Sequence, residues 1–379
     1  MKTPNTSITA SNAVLYRLSQ ILVLTIACLA FLDIGLRIFL PPSSNLWQKP
    51  VDIQTPETLY MKLDSLRQMN GVKIIVMGDS LAFGRVMRDH GDQDWQDHTL
   101  PVQLQNKLKN KYSGCSINIF NLGMNGSLPT DLVHLSRILS TIKPDLLLFD
   151  FGLRSFSRDF EDNQQTRPWL TDFNISEDGR YNMNGHTASA IQRFFVNNWY
   201  LYRIRFTVQA LVFDGQPSAF MTRIRERMNN WFQKSKPTSE QGGDNLMLLL
   251  KARARYNSID LDADNPQVQA LGNLLKYLQT QDQPAIAFYA TENPENLDDL
   301  IDRNRYEDLH RQLNTLMKQA SNTTDWVGPL SIYKPNEYLD HVHINAQGYT
   351  RLSTYLLPLV TNKLVPAFER KGCHDTKTP

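Results

Sequence analysis

The sequence has few cysteines, no excess of charge of either sign, and no internal repeat or low-complexity segment. Three of its 379 residues are cysteine, which is too few for a disulfide scaffold. A formal net charge of +2 does not create a field that attracts polyanions in general. The sequence also lacks a nucleic-acid recognition motif and the Cys/His spacing of a metal site. We therefore expect neither a nucleic-acid partner nor a bound metal.

The positions of the three cysteines give little information about pairing. Cys28 lies within an apolar run, Cys115 precedes a predicted strand, and Cys373 lies far from it in the polar tail of the chain. Sequence distance does not reveal whether two sulfur atoms can meet with disulfide geometry. We expect free thiols, and a single bridge between Cys115 and Cys373 in an oxidising compartment is the alternative.

An apolar segment near the amino terminus is long enough to cross a membrane. Residues 18–32 carry no charge, and the apolar character continues to Leu40 except at Asp33 and Arg37. A membrane-spanning helix needs about 20 residues, and two charges four residues apart can pair on one helix face. Pro41 and Pro42 would end the helix. The pattern predicts a transmembrane anchor at residues 18–40, preceded by a tail at residues 1–17.

A cleaved signal peptide is the alternative interpretation of this segment. The long leader and the lack of an A-x-A cleavage site favour an uncleaved anchor. Lysine and arginine are balanced on the two flanks, so they hardly determine the orientation. The same leader, although long for a signal peptide, is short for a translocated segment, which favours a cytoplasmic amino terminus. We therefore expect a single-pass membrane protein with its large domain on the extracytoplasmic side.

After a juxtamembrane linker at residues 41–70, short apolar runs alternate with helical patterns. Such alternation is typical of a three-layer α/β fold with a parallel sheet. We divide this part into a first section at 71–155, a helical insertion at 156–264, a second section at 265–368 and a tail at 369–379. The strand candidates are Val72–Met77, Ser116–Asn121, Asp145–Phe151 and Ala285–Ala290.

The insertion at 156–264 is too long for a plain loop in a compact domain. Residues 186–236 contain eight lysines and arginines but two acidic residues. This basic amphipathic cap has either solvated arginines or a face for anionic lipid or a membrane partner. Its two apolar stripes at helical spacing are Leu201, Ile204, Val208 and Leu211, and Met221, Ile224, Met228 and Trp231.

A serine lies where the first strand candidate runs into a helix, in the segment Gly78-Asp79-Ser80. Parallel α/β proteins place their sites at this edge of the sheet. The free N-H groups at a helix amino terminus suit a developing oxyanion. A lone Gly-Asp-Ser is also an ordinary turn sequence, so the motif needs a second element.

The second element lies about 260 residues later, where Asp340 and His343 are separated by two residues. This spacing lets a carboxylate orient the imidazole while the other ring nitrogen faces a serine. His341 is a neighbour that does not fit the spacing. Thr291, Glu292 and Asn293 follow the fourth strand candidate at the same sheet edge, either as substrate contacts or as turn residues.

Together, Gly78-Asp79-Ser80 and Asp340-x-x-His343 resemble the first and last blocks of the SGNH (GDSL) hydrolase family, over residues 72–155 and 284–360. The resemblance implies a flavodoxin-like parallel sheet and a catalytic triad of Ser80, Asp340 and His343 that works without metal or cofactor. Asn121-Leu122-Gly123 resembles the second block. The N-H groups of Gly123 and Ser80 would then form the oxyanion hole.

The third block departs from the family pattern, because Gly152-Leu153-Arg154 stands in place of Gly-x-Asn-Asp. Loss of one oxyanion donor typically costs about a hundredfold to a thousandfold in rate. Arg154 and Asn125 are the two candidate substitutes. Anchored relatives with a degenerate third block include alginate O-acetylation proteins and the D-alanine transfer protein of teichoic acid synthesis, which this chain resembles.

The resemblance implies a serine esterase or O-acyltransferase that acts on O-acyl groups of a cell-envelope polysaccharide through an acyl-serine intermediate. The expected partners are the lipid bilayer, an acylated polysaccharide or small ester, and a membrane-bound acyl-donor protein. The alternative is a catalytically weak or inactive protein of the same fold that binds or assembles a polymer.

Overall fold

The computed structural model describes residues 7–158, 167–176, 178–183, 190–212, 250–290, 292–320 and 323–376. The strands of its central sheet are β1 Val72–Gly78, β2 Ile117–Gly123, β3 Leu146–Asp150, β4 Ala285–Ala290 and β5 Thr324–Leu330. The sheet has the order β2-β1-β3-β4-β5, and every neighbouring pair is parallel. This is the flavodoxin-like order, and it confirms the predicted fold class.

Helices cover both faces of the sheet, and two small antiparallel pairs of strands lie outside it. The pairs are Tyr112–Ser113 with His374–Asp375, and Phe173–Ile175 with Tyr181–Met183. The helices are α1 Ser7–Phe39, α2 Pro56–Gln68, α3 Ser80–Phe83, α4 Leu100–Lys111, α5 Pro129–Leu139, α6 Ala190–Asn198, α7 Tyr200–Val212, α8 250–257, α9 Pro266–Thr280, α10 Arg303–Ala320 and α11 Ala346–Lys371. Shorter helical turns are Asn45–Gln48, Val86–Asp89, Trp95–His98, Leu153–Phe156, Pro168–Asp172, Leu297–Leu300 and Pro335–Glu337.

The sheet is buried on both faces, which explains why its strands are continuous apolar runs. Ile75 and Met77 of β1 pack into one core with α2, α5, α9 and α10. Ile74 and Val76 of the same strand pack into a second core with α4 and α11. Successive side chains of a strand point to opposite faces, so one apolar strand supplies both cores.

The apolar segment predicted as an anchor forms the long helix α1. Within the described residues, one helix is long and apolar enough to cross a membrane, at Leu15–Phe39 with a mean hydropathy of 2.3. Asp33 and Arg37 form the expected i,i+4 pair at 2.8 Å. The orientation of this helix in a membrane stays a prediction.

Of the two apolar stripes in the insertion, the first lies on α7 and the second lies outside the described residues. Ile204 belongs to a small buried cluster, and Val208 and Leu211 pack against that cluster, as do Leu36 of α1 and Leu40. The described parts of the insertion also share a core with α2. The boundaries at 156 and 264 stay predictions.

Two arginines of the basic cap pair with acidic side chains of the domain. Arg203 pairs with Asp64 at 2.6 Å and is buried, and Arg205 pairs with Glu57 at 3.1 Å. Both acidic partners belong to α2, so these arginines hold α7 on α2. The basic residues from 223 to 236 lie outside the described residues.

The expectation of free thiols is wrong for two of the cysteines. Cys115 and Cys373 form a disulfide with their Cα atoms 4.9 Å apart, within the usual range. The end of α11 returns to the segment before β2, where the short strands Tyr112–Ser113 and His374–Asp375 pair. The fold creates this approach, which sequence distance does not reveal. Cys28 is free and exposed.

Removal of this disulfide is expected to destabilise the protein strongly. The two cysteines lie 258 residues apart, and closing a loop of that length stabilises the folded state by about 5 kcal/mol in the chain-entropy model. Cys115→Ser should lower the free energy of unfolding accordingly in a denaturant titration. Cys28→Ser is the matched control and should unfold like the wild type. Equal stability of all three proteins would contradict the expectation.

Lys62 is a buried cation without an acidic partner in the described contacts. Its Nζ donates to the carbonyl oxygens of Lys49 at 2.7 Å and Trp47 at 3.1 Å, and burial lowers the pKa of Lys62 to about 7. Between pH 7 and 10 the unfolded chain therefore binds more protons at this position than the folded chain does. Stability rises with pH wherever the unfolded state binds more protons.

The free energy of unfolding should therefore increase by up to about 4 kcal/mol from Lys62 between pH 7 and 10. Lys62→Met should lose this increase because it removes the titrating group. Denaturant titrations of both proteins at pH 7, 8.5 and 10 measure the difference in slope. Parallel profiles for the two proteins would show that Lys62 keeps its ordinary pKa when folded.

Candidate active site

Ser80 begins α3 directly after β1, as the sequence pattern predicts. Asp79 caps α3 by accepting a hydrogen bond from the Leu81 N-H at 2.9 Å. Gly78 has a φ of +148°, and an added Cβ would lie 1.6 Å from Oδ1 of Asp150. A glycine is therefore needed at the end of β1, where the chain turns into the helix.

Neighbouring elements hold α3 in place at the carboxyl edge of the sheet. Tyr349 of α11 donates its hydroxyl to the Leu81 carbonyl at 2.7 Å. Asn121 of β2 donates its side-chain amide to the Ala82 carbonyl at 2.8 Å. A Cβ on Gly123 would lie 2.4 Å from the backbone nitrogen of Phe83. This close packing of backbones fixes the position of the Ser80 side chain.

The structure brings together the three residues predicted as a catalytic triad. Ser80 Oγ lies 2.8 Å from His343 Nε2, and His343 Nδ1 lies 2.7 Å from Asp340 Oδ2. A carboxylate accepts a hydrogen bond from the Nδ1-H group, so Nε2 is left to accept the hydrogen bond of the serine hydroxyl. The arrangement has the order and distances that serine nucleophilic catalysis requires. The catalytic role of the three residues stays a prediction.

The loop between β5 and α11 keeps Asp340 ionised and oriented. Its Oδ1 accepts hydrogen bonds from the backbone N-H groups of Val342 and His343, both at 2.8 Å. Burial alone would raise the pKa of Asp340, but the bond to the His343 ring and the two N-H groups hold that pKa well below its usual value. Asp340 therefore remains a carboxylate that orients the imidazole across the physiological pH range.

His341 lies beside the site, as its position in the sequence suggests, but it is not the histidine that faces Ser80. Its ring contacts the edge of the Tyr256 ring, with the centroids 6.5 Å apart. Burial lowers the pKa of His341, so its ring favours the neutral form. The ring that lies beside Ser80 belongs to His343, the histidine that the Asp-x-x-His spacing selects.

Arg154 reaches the serine from the turn that follows β3. Its Nη2 donates to Ser80 Oγ at 2.9 Å and to Asp79 Oδ2 at 2.7 Å. Burial alone would lower the pKa of Arg154, but the Asp79 charge keeps it above the usual value, so the guanidinium stays charged. A fixed positive charge therefore lies within hydrogen-bonding distance of the predicted nucleophile.

A second buried carboxyl group, Asp150 at the end of β3, lies against Asp79. Burial raises the pKa of Asp150 well above its usual value, and the negative charge of Asp79 raises it further. Asp79 is also buried, but the charge and hydrogen bond of Arg154 lower its pKa. Asp150 is therefore the protonated partner, and Asp79 is the carboxylate that pairs with Arg154.

Two of the other three predicted oxyanion donors, Gly123 and Asn125, are placed differently from Arg154. The Gly123 N-H donates to the side-chain carbonyl of Asn121 at 2.8 Å, so this N-H already has a hydrogen-bond acceptor. Asn125 is exposed, and its backbone carbonyl accepts from Arg167 at 2.6 Å. Of the two candidate substitutes for the missing third-block asparagine, Arg154 is the one whose side chain contacts Ser80. The Ser80 N-H is at the start of α3, where helical N-H groups have no partner within the helix.

Glu292, which follows β4, carries a buried negative charge at the rim of the site. Its carboxylate accepts hydrogen bonds from the hydroxyls of Tyr256, Tyr289 and Tyr306 at 2.6–2.8 Å. Burial and the Glu292 charge raise the pKa values of Tyr256 and Tyr289, so both phenols stay protonated.

Thr291 lies outside the described residues. The cleft beside the triad is lined by Asp79, Leu81, Asp150, Phe151, Gly152, Arg154, Tyr256, Glu292, Val342 and His343.

Two residues of this cleft were missed by the sequence reasoning. Asp150 ends an apolar strand and looks like an ordinary strand terminus in the sequence. Tyr256 lies in α8, near the end of the long insertion, where nothing in the local sequence marks it as part of a site. A carboxyl group directly at the carboxyl end of β3 was the available signal for Asp150.

No protein-family model matches this sequence, and no curated protein matches it significantly. Among solved structures, the chain is similar to a carbohydrate acetylesterase family member from Sinorhizobium meliloti, with 12% identity and a TM-score of 0.34, over 77% of this chain and 99% of that one. It is also similar to an acetyl xylan esterase from the rumen bacterium Butyrivibrio proteoclasticus, with 12% identity and a TM-score of 0.35, over 78% of this chain and 65% of that one. At such TM-scores neither match bears on the activity of this chain.

Proposed function

We propose that this protein is a serine esterase or O-acyltransferase of the SGNH type that acts on O-acyl groups of a cell-envelope polysaccharide. The observation that carries the proposal is the hydrogen-bonded series Ser80, His343 and Asp340, with distances of 2.8 and 2.7 Å. A buried serine hydroxyl gains nucleophilicity when an oriented imidazole accepts its proton. The positive charge of Arg154 beside the hydroxyl supports the same proposal.

In the proposed reaction, His343 Nε2 removes the proton of Ser80 as Ser80 Oγ attacks the ester carbonyl. The resulting oxyanion is stabilised by the Arg154 guanidinium and the Ser80 N-H, which act as charged and neutral donors. His343 then protonates the departing alcohol, which leaves an acyl-serine. A water molecule or a sugar hydroxyl, deprotonated by His343, attacks the acyl-serine and releases Ser80.

We further propose transfer to a sugar hydroxyl in preference to hydrolysis. The membrane-spanning character of α1 would keep the site close to a membrane-bound acyl donor, and the sequence resembles anchored proteins that acylate envelope polymers. The fates of the acyl group differ only in what occupies the second site and how well water is excluded. Release of the alcohol from a small chromogenic acetyl ester, measured with and without an oligosaccharide acceptor, separates them, because the alcohol leaves in both reactions whereas free acetate is formed by hydrolysis alone. Faster turnover with the acceptor supports transfer, and indifference to it supports an esterase.

Covalent labelling by a serine-reactive fluorophosphonate tests the nucleophile directly. The full chain in detergent should be labelled at Ser80, because the probe forms a bond only with an activated serine. Ser80→Ala is the matched control and should remain unlabelled. A folded wild-type protein that takes up no probe would contradict serine catalysis.

A second candidate function is a catalytically weak or inactive protein of this fold that binds or assembles a polymer. Two observations favour it. The segment after β3 lacks the asparagine of the family's third block, and the Gly123 N-H already donates a hydrogen bond to Asn121. Complementation distinguishes the two functions. Full function of a Ser80→Ala, His343→Ala variant in a deletion strain would support binding, whereas loss of function would support catalysis.

A further inference from the structure

The end of the apolar helix α1 is joined tightly to the junction between α6 and α7. Asp33 Oδ1 accepts a hydrogen bond from the Leu201 N-H at 2.6 Å, so a residue of α1 caps the start of α7. Arg37 Nη2 donates to the Asn198 carbonyl at the end of α6 at 3.1 Å, and its guanidinium lies over the Tyr200 ring. The hydroxyl of Tyr200 donates to the Leu40 carbonyl. These contacts join the end of α1 to the end of α6 and the start of α7.

The length of α1 indicates the level of this junction relative to a bilayer. From Leu15, where the candidate span begins, to Asp33 is about 27 Å at 1.5 Å per residue. The hydrocarbon core of a bilayer is about 30 Å thick. If α1 spans the membrane, Asp33 and the residues bonded to it lie at the boundary with the head groups. A position at the head-group boundary is favourable for a charged aspartate that pairs with an arginine and accepts a hydrogen bond at the start of a helix.

The helix α6 carries two apolar side chains that are exposed in the part of the chain that the structure describes. Ile191 and Phe194 are 69% and 62% exposed, and their i,i+3 spacing puts them on one helix face. The other face packs onto the domain through Val196, which is fully buried, and through Gln192, which donates to Glu57. A soluble surface rarely presents two such residues beside an exposed apolar helix.

Aromatic side chains surround the same junction. Phe195 contacts Phe194, Trp199 and Tyr202, with ring centroids 5.4–5.7 Å apart. Tryptophan and tyrosine are enriched where proteins meet the head groups of a membrane. The composition of the junction therefore matches the level at which α1 would place it.

We propose that α6 lies on the surface of the bilayer that α1 crosses, with Ile191 and Phe194 inserted at the boundary between head groups and acyl chains. The exposed face of α6 lies next to the end of α1, so the bilayer that α1 would cross is the apolar phase within its reach. A helix with one apolar face binds membranes in this way. Together α1 and α6 would hold the domain at two points and fix its orientation, which a single flexible anchor does not do. This inference does not depend on the catalytic proposal.

Depth-dependent fluorescence quenching tests the inference on the full chain. In a Cys28→Ser background, Ile191→Cys or Phe194→Cys is labelled with an environment-sensitive fluorophore, with the Cys115–Cys373 disulfide kept oxidised. The protein is placed in lipid nanodiscs that hold one copy each. Tyr355→Cys is the matched control, because Tyr355 is an exposed aromatic residue of α11 at 43% exposure.

Lipids brominated near the top of the acyl chains should quench the labels at 191 and 194 several-fold more strongly than the label at 355. Aqueous iodide should show the opposite order. Equal quenching by iodide at all three positions would overturn the inference. Protection of positions 191 and 194 from both quenchers would overturn it as well, because it would mean that protein covers the surface. Melting profiles equal to the wild type establish that the variants are folded.

Discussion

Ser80→Ala is expected to lower kcat for cleavage of a small acetyl ester by a factor of at least about 10⁴. The reason is that no other hydroxyl occupies the position 2.8 Å from His343 Nε2 among the described contacts of that atom. His343→Ala should cause a loss of similar size, because the serine then has no base. Initial rates with a chromogenic ester, measured for the full chain in detergent, give the comparison.

Three further variants make this expectation specific. Ser80→Ala combined with His343→Ala should be no slower than either single variant, because residues that act as one unit are not additive. His341→Ala should retain most of the activity, since His341 does not face Ser80. Ser136→Ala removes a buried helical serine outside the cleft and should be fully active. If His341→Ala caused the larger loss and His343→Ala the smaller one, the assignment of the base would be wrong.

Arg154→Met is expected to lower kcat by about a hundredfold to a thousandfold, the usual cost of one oxyanion donor, with a smaller change in KM. The guanidinium contacts Ser80 Oγ at 2.9 Å, next to the position where the carbonyl oxygen acquires charge. Methionine keeps much of the length of the side chain but has neither charge nor N-H groups. Steady-state kinetics of the wild type and the variant measure the effect.

This variant also leaves Asp79 as a buried carboxylate without its cation, which by itself destabilises the fold. An Asp79→Asn, Arg154→Met variant removes both charges, and the asparagine Oδ1 can still accept from the Leu81 N-H that caps α3. We expect this double variant to regain thermal stability but not activity. If activity returned along with stability, Arg154 would be a structural cation and not an oxyanion donor. Asn125→Ala should be close to the wild type, because Asn125 is exposed and makes no described contact with Ser80.

The four strands marked by short apolar runs were correctly predicted to within about two residues, but β5 was missed. Its sequence, Thr324–Leu330, contains Gly328 and Pro329, which local patterns associate with turns. β5 pairs with β4 alone at the edge of the sheet. A proline is tolerated in an edge strand, because its missing N-H group can lie on the side that has no neighbouring strand. The sheet context, which a single segment does not contain, makes this strand possible.

The geometry between Asp340 and His343 was predictable because it is local. Three residues of separation place the carboxylate against the ring within one turn, and the same carboxylate binds the N-H of His343. The meeting of His343 with Ser80 was predicted from the resemblance to the first and last blocks of the SGNH family, because β5, the strand that precedes His343, was missed. The choice between Arg154 and Asn125 required the path of the turn after β3, which the sequence left open.

Local patterns were enough to indicate an α/β sheet, an apolar helix near the amino terminus and three candidate catalytic residues. These patterns are the apolar runs, a serine at the start of a helix, and a carboxylate three residues before a histidine. Contacts between distant segments needed the folded chain: the Cys115–Cys373 bridge, the pairing of Arg203 with Asp64, and the arrival of Tyr256 beside Arg154. The physical reason is that periodicity and capping act over a few residues, whereas these contacts depend on how helices cross and where loops return. Side-chain partners that lie a hundred or more residues apart are selected by packing, and packing exists only in the tertiary structure.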